Sequence, residues 1–118
     1  MDYADDGVTW PPSDVTEQLT KYMAMVQEKN AVYYQVNGFT HSDPDHISAD
    51  IGRKYARVVK NDQLSGSRSV HTFVNMENGD ILKAGGWSAP QKNGVRGNIF
   101  ADDLGANRVN EHGANYLK

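Results

Sequence analysis

The chain has no cysteine in its 118 residues. That excludes a disulfide framework, a thiolate metal site and a cysteine nucleophile. Long apolar runs are also missing. None approaches the ~18 residues that a membrane-spanning helix needs. Basic charge is not in excess, since 12 Lys+Arg stand against 15 Asp+Glu. The first residues, Met1-Asp2-Tyr3-Ala4-Asp5-Asp6, are acidic and lack the basic-then-apolar order of a signal peptide. These absences lead us to expect a single domain over residues 1–118, soluble, intracellular and with no membrane contact.

What is present is unevenly spread. Residues 1–50 hold nine acids and two bases, net −7; residues 51–100 hold eight bases and three acids, net +5; the remainder is −1. Such asymmetry suits an acidic partner for the middle segment, an acidic helix folding onto a basic sheet, or the docking of one subunit on another.

Residues 1–12 read as an extended arm, because Trp10-Pro11-Pro12 disfavours helix. Val15, Leu19, Tyr22, Met23 and Val26 recur at helical spacing, with Met25 off the stripe. Ser13 or Asp14 can cap this helix. The stripe can run through Tyr33 to a C-cap at Asn37-Gly38, and we prefer this to a strand over Ala31–Val36. Residues 38–52 form a loop with a short strand at Ile47–Ile51. Strands follow at 53–60, 68–76 and 80–84, the last two joined through Glu77-Asn78-Gly79. Gln91–Asn98 reads as a loop, Asp102–His112 as a weak helix, and Asn115–Leu117 as a closing strand.

A three-residue hairpin loop with Gly79 left-handed pairs Met76 with Asp80. Val70, Thr72, Val74 and Met76 then share a face with Leu82 and Ala84, and the helix covers that face. His71, Phe73, Asn75, Ile81 and Lys83 take the other side. Tyr55, Arg57 and Val59 alternate with Lys54, Ala56, Val58 and Lys60 on the preceding strand.

The residues bear on four kinds of chemistry. His41, Asp43, Asp45 and His46 are legitimate metal ligands, but their spacing matches no established site, and an acidic surface loop explains them as well. No serine sits in a Gly-x-Ser-x-Gly elbow. Gly85-Gly86 and Gly94-x-x-Gly97, near Lys83, Lys92 and Arg96, lack the phosphate-loop patterns, and tight turns account for them. The fourth is a sheet face of bases and aromatics, the layout that neutralises phosphates and stacks on bases of a single strand. Against it stands a sequence pI of about 5.7.

Gly52-Arg53-Lys54-Tyr55-Ala56-Arg57-Val58-Val59 is followed by Arg68-Ser69-Val70-His71-Thr72-Phe73-Val74. Then come Asn78-Gly79-Asp80-Ile81-Leu82-Lys83-Ala84, Gly86-Trp87-Ser88-Ala89-Pro90 and Val95-Arg96-Gly97-Asn98-Ile99-Phe100. This order resembles a group of small uncharacterised proteins of tailed bacteriophages, marine ones among them, over residues 52–100. Leu82 departs from the group's Tyr, and Gly85 from its Ala or Pro. The resemblance implies a phage accessory protein in the cytoplasm of an infected bacterial host. It assigns no activity.

The expected fold is α+β: an N-terminal amphipathic helix packed on a small antiparallel sheet of three or four strands. The exposed edges of such a sheet invite a homodimer. The leading function is a non-enzymatic binding module for a phage or host macromolecule, with nucleic acid the most testable target, through Arg53, Tyr55, Arg57, Phe73, Lys83, Trp87 and Arg96, without cofactor or metal. The alternative is a virion component or an inhibitor that binds a host or phage protein. A small enzyme or metal protein built on His41, Asp43, Asp45 and His46 is third.

Overall fold

A helical stripe beginning at Val15 needs an apolar surface to lie on, and a five-stranded sheet supplies it. The computed structural model describes residues 13–38 and 43–114. The expected arm, His41 and the closing strand lie outside these residues. Helix α1 spans Ser13–Val36. Val15, Leu19, Tyr22 and Val26 are buried in the core, and Met23 packs partly against it. Met25 does so too, so the apolar face is wider than the stripe implied. The helix runs past Asn30 and ends before Gly38, whose φ of +74° is the left-handed stop. A strand over Ala31–Val36 would forfeit two side-chain contacts that the helix positions. The Tyr33 ring meets the His112 ring edge-on at 5.0 Å, and the Tyr34 hydroxyl donates to Asp45 Oδ1 at 3.0 Å.

Strands β1 (His46–Ile51), β2 (Tyr55–Asn61), β3 (Arg68–Asn75), β4 (Asp80–Ala84) and β5 (Pro90–Asn98) form one antiparallel meander in chain order. The α+β class is as expected, with five strands rather than three or four. The added strand is β5, where a loop was expected. Its polar, glycine-containing sequence shows no alternation. Its pairing rests on backbone hydrogen bonding to β4 through two register irregularities. The expected helix over 102–112 is absent. Leu104 (φ +59°) and Gly105 (φ +79°) break it, leaving a single 3-10 turn at Ala106–Arg108 and a bridge between Val109 and Ala114.

The hairpin register differs from expectation by one residue. Val74 pairs with Ile81, Phe73 with Leu82 and Thr72 with Lys83. Gly79 is left-handed (φ +84°), as expected. The loop nevertheless takes four residues, because Met76 drops into the core and its N–H donates to Lys54 O at 2.8 Å instead of pairing with Asp80. One step of slip exchanges faces. Lys83 and Ile81 therefore lie on the helix side, with Thr72 and Val74, and Leu82 lies on the outer side with Phe73.

A second irregularity acts within β3. Val58 pairs with Thr72, but Val59 pairs with Val70, so His71 is the extra residue of a bulge. Unbroken alternation from Val74 and Thr72 would carry Val70 and Arg68 to the helix side. The bulge sends them to the outer face and keeps His71 inside. There Tyr22, Thr72, His71 and Asn110 form one chain of hydrogen bonds, at 2.7, 2.9 and 2.7 Å. Asn110 O can only accept, so His71 Nε2 carries the proton, Nδ1 accepts from the Thr72 hydroxyl, and Thr72 accepts from Tyr22. Burial, the largest cause, lowers the His71 pKa to about 4.

Polar side chains fasten the layers. Gln27 donates to Asp45 O (2.7 Å) and accepts from Ile47 N–H (3.0 Å), standing in for a strand partner. Buried Asn30 accepts from Asp45 N–H (2.8 Å) and donates to its carboxylate (3.1 Å). Lys60 and Lys83 donate to the His112 and Ala114 carbonyls, which holds the C-terminal segment over the inner face. Asn98 donates to Asn78 O and to Asp80 Oδ1, both at 3.0 Å, and so sutures β5 to the hairpin turn.

Candidate nucleic-acid interface

The register sets Asp50 opposite Arg57, and Arg57 opposite Phe73, on the face away from α1. Tyr55 lies on the same face. Its ring meets Phe73 edge-on at 6.3 Å, and Lys54 Nζ lies 5.5 Å from the Tyr55 ring centre. Gly85 and Gly86 turn the chain out of β4, and the Gly85 N–H closes on Ala89 O at 3.0 Å. The resulting loop carries Trp87 back across β3 to β2. The Arg57 guanidinium sits 4.4 Å from the Trp87 ring centre and that of Arg68 sits 5.2 Å from it. Both cations rise from the sheet to the ring. Trp87 remains 41% exposed, which leaves ring surface open to a stacking partner.

Two clefts flank this tryptophan. One, of about 400 Å³, is lined by Asp50, Ile51, Gly52, Arg53, Lys54, Tyr55, Arg57, Phe73 and Ser88. The other, of about 410 Å³, is lined by Arg68, Ser69, Val70, Ala84, Gly85, Gly86 and Trp87. Asp50 bonds Arg57 Nη1 and Arg68 Nη2, each at 3.2 Å. Arg68 Nε also donates to Asn61 Oδ1 at 3.1 Å. Arg57 Nε is buried and makes no hydrogen bond among the described residues. Arg53 and Lys54 are exposed and pair with no carboxylate among the described residues. Four cations thus surround one acid, and the arrangement suits a ligand carrying phosphates and flat rings.

Of the seven residues picked from the sequence, Arg53, Tyr55, Arg57, Phe73 and Trp87 come together here. Phe73 is 3% exposed, so it supports Tyr55 from below and cannot itself stack on a ligand. Lys83 does not join them, because the hairpin register turns it to the helix side, where it donates to Ala114 O at 3.0 Å. Arg96 does not join them either. It is the extra residue where β5 bulges against β4, it is 2% exposed, and its Nη1 donates to Gly94 O at 2.8 Å. His71, expected on the outer face, lies inside. Arg68 is not among the seven, since only the bulge at His71 brings it to this face, and no periodicity in the sequence announces that bulge.

In the acidic loop, Asp45 is occupied by Asn30 and Tyr34, while Asp43 and His46 are exposed. Among the described residues no three His, Asp or Glu side chains converge as a metal site. None of the helices described is long and apolar enough to cross a membrane.

No curated protein and no solved structure matches the chain. A family model does match, over residues 10–115, which takes in the helix, all five strands and both clefts. That model describes a family of unknown function, DUF7717, and the chain belongs to it.

Proposed function

We propose that this protein is a non-enzymatic binding module that takes single-stranded nucleic acid across the outer face of β2 and β3. The order of motifs over residues 52–100 supports a phage accessory protein, working in the cytoplasm of an infected bacterium. The observation that carries the binding reading is the half-open Trp87 ring, seated on two guanidinium groups between two clefts. Arg53 and Lys54 reach phosphates, Arg57 and Arg68 hold the ring and add charge, and Tyr55 and Trp87 offer ring faces to bases. A single strand fits better than a duplex. The site is a sheet face with shallow clefts, and it presents no helix or ribbon for a major groove.

The test is fluorescence anisotropy with labelled single- and double-stranded oligonucleotides at two salt concentrations. Micromolar binding of the single strand is expected, weakening with salt by a log–log slope of about −0.7 per neutralised phosphate. Replacing Arg53 and Lys54 together with Ala should lower the affinity and flatten that slope by roughly two contacts. Trp87→Ala should cost about 1–3 kcal/mol of binding, the usual worth of one stacked base. No binding by the wild type at low salt refutes the assignment. The outer face would then be read as a surface for a virion or host protein, sought by pull-down.

A further inference from the structure

The first cleft has an acid among its bases, which is unhelpful to any anionic ligand. Asp50 lies on the edge strand β1, with its carboxylate between Arg57 and Arg68 at 3.2 Å from each. A carboxylate bridging two guanidinium groups takes up the geometry that such a pair offers to a phosphate. The pair also holds unspent donor capacity, since Arg57 Nε is buried without a hydrogen bond among the described residues. The Asp50 side chain is 44% exposed, and ion pairs that wet are weak and easily exchanged.

We infer that Asp50 is a resident phosphate mimic: Arg57 and Arg68 clamp a phosphate of the bound strand, and Asp50 gives way to it. Arg68 thereby becomes a binding residue, and Asp50 a built-in competitor that limits affinity. The inference rests on the reading of this face as a nucleic-acid site. It adds where one phosphate sits and which group it displaces. The Trp87 ring centre lies 4.4 and 5.2 Å from the two guanidinium groups, and the phosphate arrives from the β1 side, where Asp50 now is.

The experiment uses the full chain with Trp10→Phe, which leaves Trp87 as the single tryptophan reporter. Two probes are titrated: inorganic pyrophosphate, read by Trp87 fluorescence, and a labelled oligothymidylate, read by anisotropy. Asp50→Asn is compared with Asp102→Asn, an exposed acid in the turn after β5 that makes the same change in net charge. Asp50→Asn should tighten both probes about three- to tenfold, the worth of one or two exposed ion pairs, and Asp102→Asn should do less. Arg68→Ala should weaken both and abolish the gain from Asp50→Asn. Thermal melts confirm that each variant is folded. If the oligonucleotide binds and Asp50→Asn does no better than Asp102→Asn, the competitor is refuted and the nucleic-acid reading stands. If pyrophosphate tightens on Asp50→Asn while no variant binds the oligonucleotide, the clamp stands and the nucleic-acid reading falls. If neither probe binds any variant, both are overturned.

Discussion

Acid should unfold this protein through His71. The ring is 2% exposed and its hydrogen bonds are spoken for: Nε2 donates to Asn110 O and Nδ1 accepts from Thr72. A second ring proton would meet the Thr72 hydroxyl donor head-on. The Thr72 hydroxyl would have to turn its own proton away from the ring and give up the bond it donates. The charge would also be desolvated and would face Lys60, His112 and Lys29. These causes, burial first, set the folded-state pKa at about 4 against 6.5 for a free ring. Between those values the unfolded chain binds more protons than the folded one, so stability rises with pH across that window and is level above it. At about 1.4 kcal/mol per pH unit the full effect is roughly 3 kcal/mol. That is a large share of the ~5–15 kcal/mol that holds a domain together. Asp62 and Asp103 act elsewhere on the scale. Backbone N–H donors hold both carboxyls below 3.8, so their contribution is lost only at lower pH. Urea unfolding from pH 4.5 to 8 should therefore show wild-type stability climbing to near pH 6.5. His71→Gln should be less stable throughout, with its climb reduced by the His71 share. NMR titration should leave the His71 ring neutral well below pH 6.5. A His71 ring that titrates near 6.5 in the folded protein, or parallel stability curves for the two proteins, would refute the reasoning.

Three further outcomes follow from single contacts. Gly105→Ala should destabilise by about 1–3 kcal/mol, because φ is +79° and a Cβ would lie 2.5 Å from Ile81 Cδ1; Gly86→Ala, with open space around it, should stay within about 0.5 kcal/mol, and thermal melts compare the two. Tyr22→Phe should cost about 1 kcal/mol in chemical denaturation, since it removes the donor to buried Thr72 Oγ1. Asn30→Ala should cost about 2 kcal/mol and speed hydrogen exchange at the Asp45 amide, which loses its acceptor at 2.8 Å.

The helix was legible because one period governs it from Val15 to Val26, and Gly38 supplies a stop that only a left-handed residue makes. Strands β2 to β4 were legible from β-branched and aromatic runs. Their faces were not. A left-handed Gly79 serves a three-residue or a four-residue loop equally well, and the choice falls to Met76, whose burial no local pattern records. That one residue decides whether Lys83 meets solvent or the Ala114 carbonyl. The site was half legible for the same reason. Counting bases along residues 51–100 treats them as one footprint, whereas the fold divides them. Lys60 and Lys83 hold carbonyls of the C-terminal segment, and Arg96 is buried in a bulge. Arg57 and Arg68 share Asp50, while Arg53 and Lys54 stay exposed beside the cleft. The deciding event is again a single inserted residue. His71 breaks the alternation of β3, and its burial, with Tyr22 and Asn110 as partners, holds the break in place. Through that break the residues of the outer face join those of the core in one argument: without the His71 bulge, Arg68 would face the helix, and neither Asp50 nor Trp87 would have its second guanidinium.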